Sequence, residues 1–106
     1  MKLDTELLRG VGPLAVMNLL AGGERYAYEL LTQLDARTDG VLKLGQGTLY
    51  PLLYNLEAKK LVRSRTETVN GRPRRYYRLT PAGRRRLERS RQQWHAATTA
   101  LAALAT

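Results

Sequence analysis

Gly45-Gln46-Gly47-Thr48-Leu49-Tyr50-Pro51-Leu52-Leu53-Tyr54-Asn55-Leu56-Glu57 is followed closely by Val69-Asn70-Gly71-Arg72-Pro73-Arg74-Arg75-Tyr76-Tyr77-Arg78-Leu79-Thr80-Pro81. Leu49, Leu52, Leu53 and Leu56 recur at helical spacing and mark the buried face of a helix, while Tyr50, Tyr54 and Asn55 fall toward another face. Pro51 leaves two starting points open. A helix beginning at Gln46 loses the backbone bond from residue 51 to the Gly47 carbonyl; a helix capped by Thr48 places Pro51 in its first turn at little cost. Either way a tight turn is expected near Thr48. From Leu61 to Thr68, Val62, Ser64, Thr66 and Thr68 alternate with Arg63, Arg65 and Glu67, the period of a strand. Val69 to Pro73 is the turn, with Asn-Gly the hairpin signal, and Arg74 to Leu79 is the returning strand. Thr80 and Pro81 suit the N-cap and first position of a further helix. No later Pro interrupts it, so it can run to about Ala105, roughly 38 Å at 1.5 Å per residue.

Upstream, Leu14, Val16, Met17, Leu19 and Leu20 form the first strongly apolar segment. Gly12 and Pro13 fit its helix start, residues 4–10 a separate turn capped by Asp4 or Thr5, and Gly22-Gly23 its end. A second helix spans about Tyr26 to Arg37, Asp39-Gly40 is a turn, and Val41 to Leu44 could form a small strand. Helix, helix, helix, hairpin, long helix is a mainly α order with a small β-hairpin. It is the plan of a winged helix-turn-helix over residues 1–79, followed by a C-terminal dimerisation helix over 80–106.

The 106 residues contain no Cys and a single His, which leaves no disulfide, thiolate site or His-rich metal cage. No nucleophile–base pair or phosphate-binding loop is visible, so neither an enzyme nor a cofactor is expected. No apolar run is long enough to span a membrane. Glu6 and Asp4 interrupt the place where a secretory signal would continue, so a cytoplasmic location is expected. Charge is unevenly placed. Residues 1–58 carry five basic and seven acidic side chains, whereas residues 59–91 carry thirteen basic, eleven of them Arg, against two acidic. The net charge of +9 thus comes from one 33-residue stretch. Such a field attracts polyanions, and Arg favours planar, bidentate contact with phosphates and base edges.

Candidate DNA-contacting residues follow from this plan. Gln46, Thr48, Tyr50, Tyr54 and Asn55 lie on the third helix: Gln and Asn pair bidentately with adenine, and Thr and Tyr bond phosphates. The competing role for Tyr50 or Tyr54 is packing beneath the wing. Lys43 and Lys59 flank the helix and either hold phosphates or are simply solvated. Asn70, Gly71, Arg72, Arg74 and Arg75 form a basic wing tip, with Arg72 and Arg74 the best contacts. Arg75 and Arg78 are candidates for bracing the hairpin, since neighbours on a strand face opposite ways. Tyr28 either bonds a phosphate at the start of the second helix or joins the core. Tyr76 and Tyr77 are adjacent on a strand, so only one can face the core.

The segments Gly47-Thr48-Leu49-Tyr50-Pro51-Leu52-Leu53, Leu56-Glu57, Gly71 to Gly83 and Tyr26-Ala27-Tyr28-Glu29-Leu30 together resemble the PadR family of bacterial transcriptional regulators, over about residues 5–83. The resemblance implies double-stranded DNA as partner, read at a palindromic operator by a homodimer, usually a repressor and often released by a small aromatic effector. It also places Thr48 and Tyr50 near the DNA. Two positions depart from the family pattern. Lys60 stands where Gly often follows the third helix, and Asn55 stands where Arg is common.

In the last helix, Leu87, Trp94 and Leu101 recur every seven residues, with Ser90, Ala97 and Leu104 between them, an imperfect heptad seam suited to a second copy. Trp94, the only Trp, is an interface anchor or the wall of a pocket. A two-fold axis beside it would let two indoles sandwich a planar aromatic molecule. Leu87, Trp94, Ala97, Leu101 and Leu104 are therefore the candidate dimer and effector residues. The alternatives are a ligand-independent or weakly specific DNA-binding protein, and a drug-sequestering dimer.

Overall fold

Asp4 sets the point where the chain first becomes helical, its carboxylate accepting the Leu7 N–H at 3.0 Å. The computed structural model describes residues 1–105. In chain order they form α1 (Thr5–Ala21), β1 (Arg25–Tyr26), α2 (Ala27–Arg37), α3 (Gln46–Ala58), β2 (Val62–Val69), β3 (Arg72–Leu79) and α4 (Pro81–Leu104).

The separate turn expected over residues 4–10 is instead the first part of α1, which runs on through Pro13. An interior Pro costs a helix about 3 kcal/mol. Continuity buries Leu8, worth about 1.5–3 kcal/mol, and brings Gly12 against α3, where an added Cβ would lie 2.9 Å from Leu52 Cδ1. No strand forms at Val41–Leu44. Its backbone is committed elsewhere: the Val41 carbonyl accepts from Leu3 N–H at 3.1 Å, and the Leu42 N–H donates to Thr38 Oγ1 at 3.0 Å.

α3 begins at Gln46 with Gly45 as its cap, so Pro51 lies inside it. The first turn is tight, as expected: the Gly45 carbonyl accepts both Thr48 N–H (3.1 Å) and Leu49 N–H (3.0 Å). At its far end Lys60 takes the left-handed conformation that Gly usually supplies, φ 60°. The Lys60 N–H bonds the Glu57 carbonyl and the Leu61 N–H the Leu56 carbonyl, a Schellman closure with Leu61 folded back toward Leu56.

The turn of the hairpin is shorter than expected. Only Asn70 (φ 52°) and Gly71 (φ 77°) lie between the strands, both left-handed as a type I′ turn requires. Arg72 and Pro73 belong to β3, where they pair with Val69 and Thr68. Val69 and Arg72 close the turn, so the ring nitrogen of Pro73 points to the outer edge and no ladder bond is lost. Two-residue β1 covers that edge further along, pairing Arg25 with Tyr77 and Tyr26 with Tyr76, to give the order β1-β3-β2.

The core runs through every layer: Val16 and Leu20 of α1, Leu30 of α2, Leu49 and Leu53 of α3, Val62 of β2 and Leu79 of β3. α4 opens on Thr80, whose hydroxyl accepts the Gly83 N–H at 3.0 Å and donates to the Lys60 carbonyl at 2.7 Å. Its first two turns pack on this core through Gly83 and Leu87. Arg91 still reaches α1, its Nε and Nη2 donating to Asn18 Oδ1 at 2.9 and 2.7 Å, and Trp94 is half-buried; from His95 onward the described residues of the helix are all exposed, and the molecule measures 57 × 30 × 21 Å.

Candidate nucleic-acid interface

Leu49, Leu53 and Leu56 point inward, and successive residues turn by about 100°, so the exposed side of α3 carries Tyr50 and Tyr54 along one edge and Thr48 and Asn55 along the other. Tyr54 is 73% exposed and Tyr50 49%, so neither is packed away beneath the wing. On the Tyr50 edge, Tyr28 from α2 and Arg74 and Arg75 from β3 line one cleft of about 320 Å³, floored by Tyr26 and Tyr77. Tyr28 is exposed, so it does not join the core, and of the adjacent pair it is Tyr77 that faces the core.

The opposite edge faces elsewhere. Thr48 and Asn55 border a groove of about 480 Å³ against Thr5, Arg9 and Pro13 of α1. Asn55 continues into a second hollow with Lys59, Arg86 and Trp94. The structure thus gathers Tyr28, Tyr50, Arg74 and Arg75 into one cleft and sets Asn55 and Lys59 apart from it. Lys43 and Gln46 are exposed where the chain enters α3; Asn70, Gly71 and Arg72 are exposed at the wing tip.

The two arginines of the wing exchange their expected positions. Arg74 is half-buried, its guanidinium carbon 4.1 Å from the centroid of the Tyr26 ring, whereas Arg75 and Arg78 are exposed. Arg74 is the brace and Arg75 the more exposed cation, because the turn is two residues long and this sets the alternation of β3. The Tyr76 hydroxyl beside it, ahead of other causes, raises the Arg74 guanidinium further above its ordinary value. Burial pushes the Tyr77 phenol up, against the opposing effect of Arg75. Further across the same face of the sheet, Glu24 accepts Arg65 Nε at 3.0–3.1 Å and Nη2 at 2.6 Å, and that bond holds its carboxyl below the ordinary carboxylate value.

Sequence patterning alone missed Tyr26, Arg65 and Glu24 as parts of this surface, along with Arg9 in the α1–α3 groove. Tyr26 reads as the start of a helix, which it caps; the two-residue strand that places it beside Tyr76 is too short to leave a periodic signal. Arg74 and Tyr76 do share one face of an alternating strand, and that spacing was the available clue.

Along α4, Leu87 is not part of a free seam: it is 3% exposed within its own chain. The helix has a core to lie on for its first turns. Trp94 lines two shallow hollows, one with Ser90, Gln93 and Ala97 and the other with Lys59 and Arg86. Leu101 is 65% and Leu104 82% exposed. Among the described residues there is no cluster of three metal-ligating side chains, and no helix is long and apolar enough to cross a membrane.

The fold that carries these residues recurs in solved structures. A PadR family transcriptional regulator from Eggerthella lenta is 33% identical to this chain, covers 93% of it over 85% of its own length, and superposes with a TM-score of 0.83. A transcriptional regulator from Clostridium thermocellum is 25% identical, with coverage of 92% and 95% and a TM-score of 0.86. The Mycobacterium tuberculosis transcriptional regulator Rv3488 is 50% identical over 50 residues, 47% of each chain. Residues 16–89, which contain α2, α3, the whole hairpin and the start of α4, match the model of the transcriptional regulator PadR-like family. On that match, this chain, with its winged helix-turn-helix, belongs to the PadR-like family of transcriptional regulators.

Proposed function

We propose that this protein is a cytoplasmic homodimer that binds a palindromic operator in double-stranded DNA and represses transcription until a small planar aromatic molecule releases it. The observation that carries DNA binding is the single cleft in which Tyr28, Tyr50, Arg74 and Arg75 meet beside the exposed face of α3. The Tyr28 and Tyr50 hydroxyls and the Arg75 cation converge there from three elements, beside Arg74 on the Tyr26 ring, which suits a phosphate backbone, while α3 has the width to enter a major groove. Gln46, Thr48, Tyr50, Tyr54 and Asn55 are the proposed reading residues. Lys43, Lys59, Arg72, Arg75, Asn70 and Gly71 approach the backbone or the minor groove. Residues 1–79 are the proposed DNA-binding unit and 80–106, of which Thr106 lies outside the described residues, the proposed dimerisation segment built on α4.

Dimerisation is supported by the exposed Leu101 and Leu104 on a helix that has left its own core. A two-fold pair would present two α3 helices to half-sites about 34–36 Å apart or a multiple of that. Trp94, at the edge of a hollow that also holds Lys59 and Arg86, is the proposed effector contact. A ligand there shifts the population of dimers away from the spacing that fits both half-sites.

In-vitro selection from a random duplex library, followed by gel shift and footprinting upstream of the protein's own gene, tests this reading. The expected result is an inverted-repeat site whose affinity falls steeply with salt, by about 0.9 log units per log unit of salt for each phosphate contacted. Recovery of no preferred duplex, or binding indifferent to salt, would contradict it.

A further inference from the structure

The wing is tied to α2 by a continuous stack of side chains. Arg74 of β3 lies over the ring of Tyr26, which caps α2 and whose N–H donates to Glu29 Oε1 at 3.1 Å. Tyr76, the register partner of Tyr26, meets it edge to face at 5.6 Å. Arg65, opposite Tyr76 on β2, places its guanidinium 4.8 Å from the Tyr76 centroid and is itself held by Glu24. Cation, ring, ring, cation and carboxylate follow one another across all three strands. Backbone pairing between β1 and β3 covers only two residues. Beyond it the hairpin projects four further register pairs, from Thr66–Arg75 to Val69–Arg72, with nothing but side chains to set its tilt.

We infer that Tyr26 and Arg74 form a strut that fixes the height and tilt of the wing relative to the reading helix, so that Arg74 is a positioning residue and the phosphate contacts fall to its neighbours Arg72 and Arg75. The inference rests on the DNA-binding reading above for its effect on affinity, and on geometry alone for its effect on the wing. A guanidinium over a ring face prefers that site to water only modestly. Its value here is directional: it holds β3 to the first turn of α2, the helix that leads into α3. Losing it lets the hairpin swing, and the cations at its tip then meet the backbone in fewer productive poses.

The test compares Tyr26→Leu, Tyr26→Phe, Arg74→Gln, Arg74→Lys, the double Tyr26→Leu/Arg74→Gln, and Arg72→Gln as a reference. Two measurements are made on the full-length protein. The first is affinity for a fluorescent duplex taken from the in-vitro selection, read across a salt series. Tyr26→Leu and Arg74→Gln should each weaken binding by about two- to five-fold, the range expected from an exposed cation–ring pair. The double variant should be no weaker than either alone, and the salt slope should match that of the unaltered protein. Tyr26→Phe and Arg74→Lys, which keep a ring and a cation, should bind nearly as the parent does. Arg72→Gln should lower the slope by about 0.9. The second measurement is amide exchange over residues 72–77 without DNA, which should quicken in both Tyr26→Leu and Arg74→Gln at temperatures where each is fully folded.

A slope lowered by about 0.9 in Arg74→Gln, with Tyr26→Leu binding normally, makes Arg74 a direct phosphate contact and overturns the strut. Unchanged exchange over residues 72–77 in both variants overturns it as well. Should selection recover no duplex, the regulatory reading falls, while the exchange measurement still decides the strut. If Tyr26→Leu does not fold, Arg74→Gln and Arg74→Lys carry the same comparison.

Discussion

Gly83 lies so close to Leu61 that a Cβ added to it would overlap the Leu61 carbonyl oxygen and stand 3.0 Å from the carbonyl carbon. That carbonyl also accepts the Thr80 N–H at 3.0 Å, and the Thr80 hydroxyl bridges the Lys60 carbonyl and the Gly83 N–H. The end of α3, the start of β2 and the start of α4 are thereby fastened at one point. The tail helix projects from the winged helix-turn-helix at the angle this junction dictates. Gly83→Ala cannot be absorbed by a flexible side chain, because the obstacle is backbone. It should cost about 2–4 kcal/mol, lowering the thermal midpoint by about 10 °C or more. Urea unfolding with a loss under about 1 kcal/mol would show that the junction yields without cost.

Lys60 closes α3 in a conformation that costs a residue with a Cβ about 1–2 kcal/mol. Lys60→Gly removes that strain and loosens the unfolded chain, an opposing loss of about 0.4–1 kcal/mol. A net stabilisation of about 0.5–1 kcal/mol is expected by urea titration. Asn70, also left-handed at the hairpin turn, tolerates its conformation far better, so Asn70→Ala should destabilise by about 1 kcal/mol while Asn70→Gly is near neutral.

How far the sequence discloses this molecule depends on the range of each signal. The Asn70-Gly71 turn, the Thr80-Pro81 start and the leucines of α3 act within a few residues, and each appears where its pattern places it. Their limits appear where distant parts of the chain compete. Pro13 reads as a helix start, yet packing of Leu8 and Gly12 carries α1 through it. Val41 reads as a strand, yet Leu3 takes its carbonyl. The site divides in the same way. The exposed tyrosines of α3 follow from its helical spacing, whereas the role of Arg74 depends on β1, which exists only because β3 offers it an edge. Leu87 fits a heptad seam and is claimed by its own core.

Acid should loosen the far end of the stack. The Arg65 guanidinium holds the Glu24 carboxyl below its ordinary value of 4.5, so whatever the pair contributes is complete above that value and is lost as the pH falls through the lowered one. Carbon-detected NMR should find Glu24 titrating below the ordinary carboxylate value, and Arg65→Met should return it to the ordinary range. Amide exchange over β2 should quicken on that descent in the parent and stay insensitive to it in Arg65→Met. A Glu24 titration unaltered by Arg65→Met would remove the pair from the account.

The two ends of α4 should respond oppositely to substitution. Leu87 is buried in its own chain, so Leu87→Ala should cost about 2–5 kcal/mol of stability at every protein concentration. Leu101 and Leu104 touch no core, and a carboxylate in their place meets only water in an isolated chain. Leu101→Glu with Leu104→Glu should therefore leave the fold of a single chain intact, with its circular dichroism unchanged over α1–α3. If these leucines face a second copy, the same carboxylates must be desolvated or the interface opened, and burial of an unpaired charge is far costlier than the loss of an apolar contact. Sedimentation velocity at micromolar concentration should then show the parent as a dimer and the double variant as a monomer. Operator affinity should fall with it, since one subunit reaches one half-site. A parent that sediments as a monomer, or a double variant that sediments as the dimer does, would place the contact between copies elsewhere than on this helix.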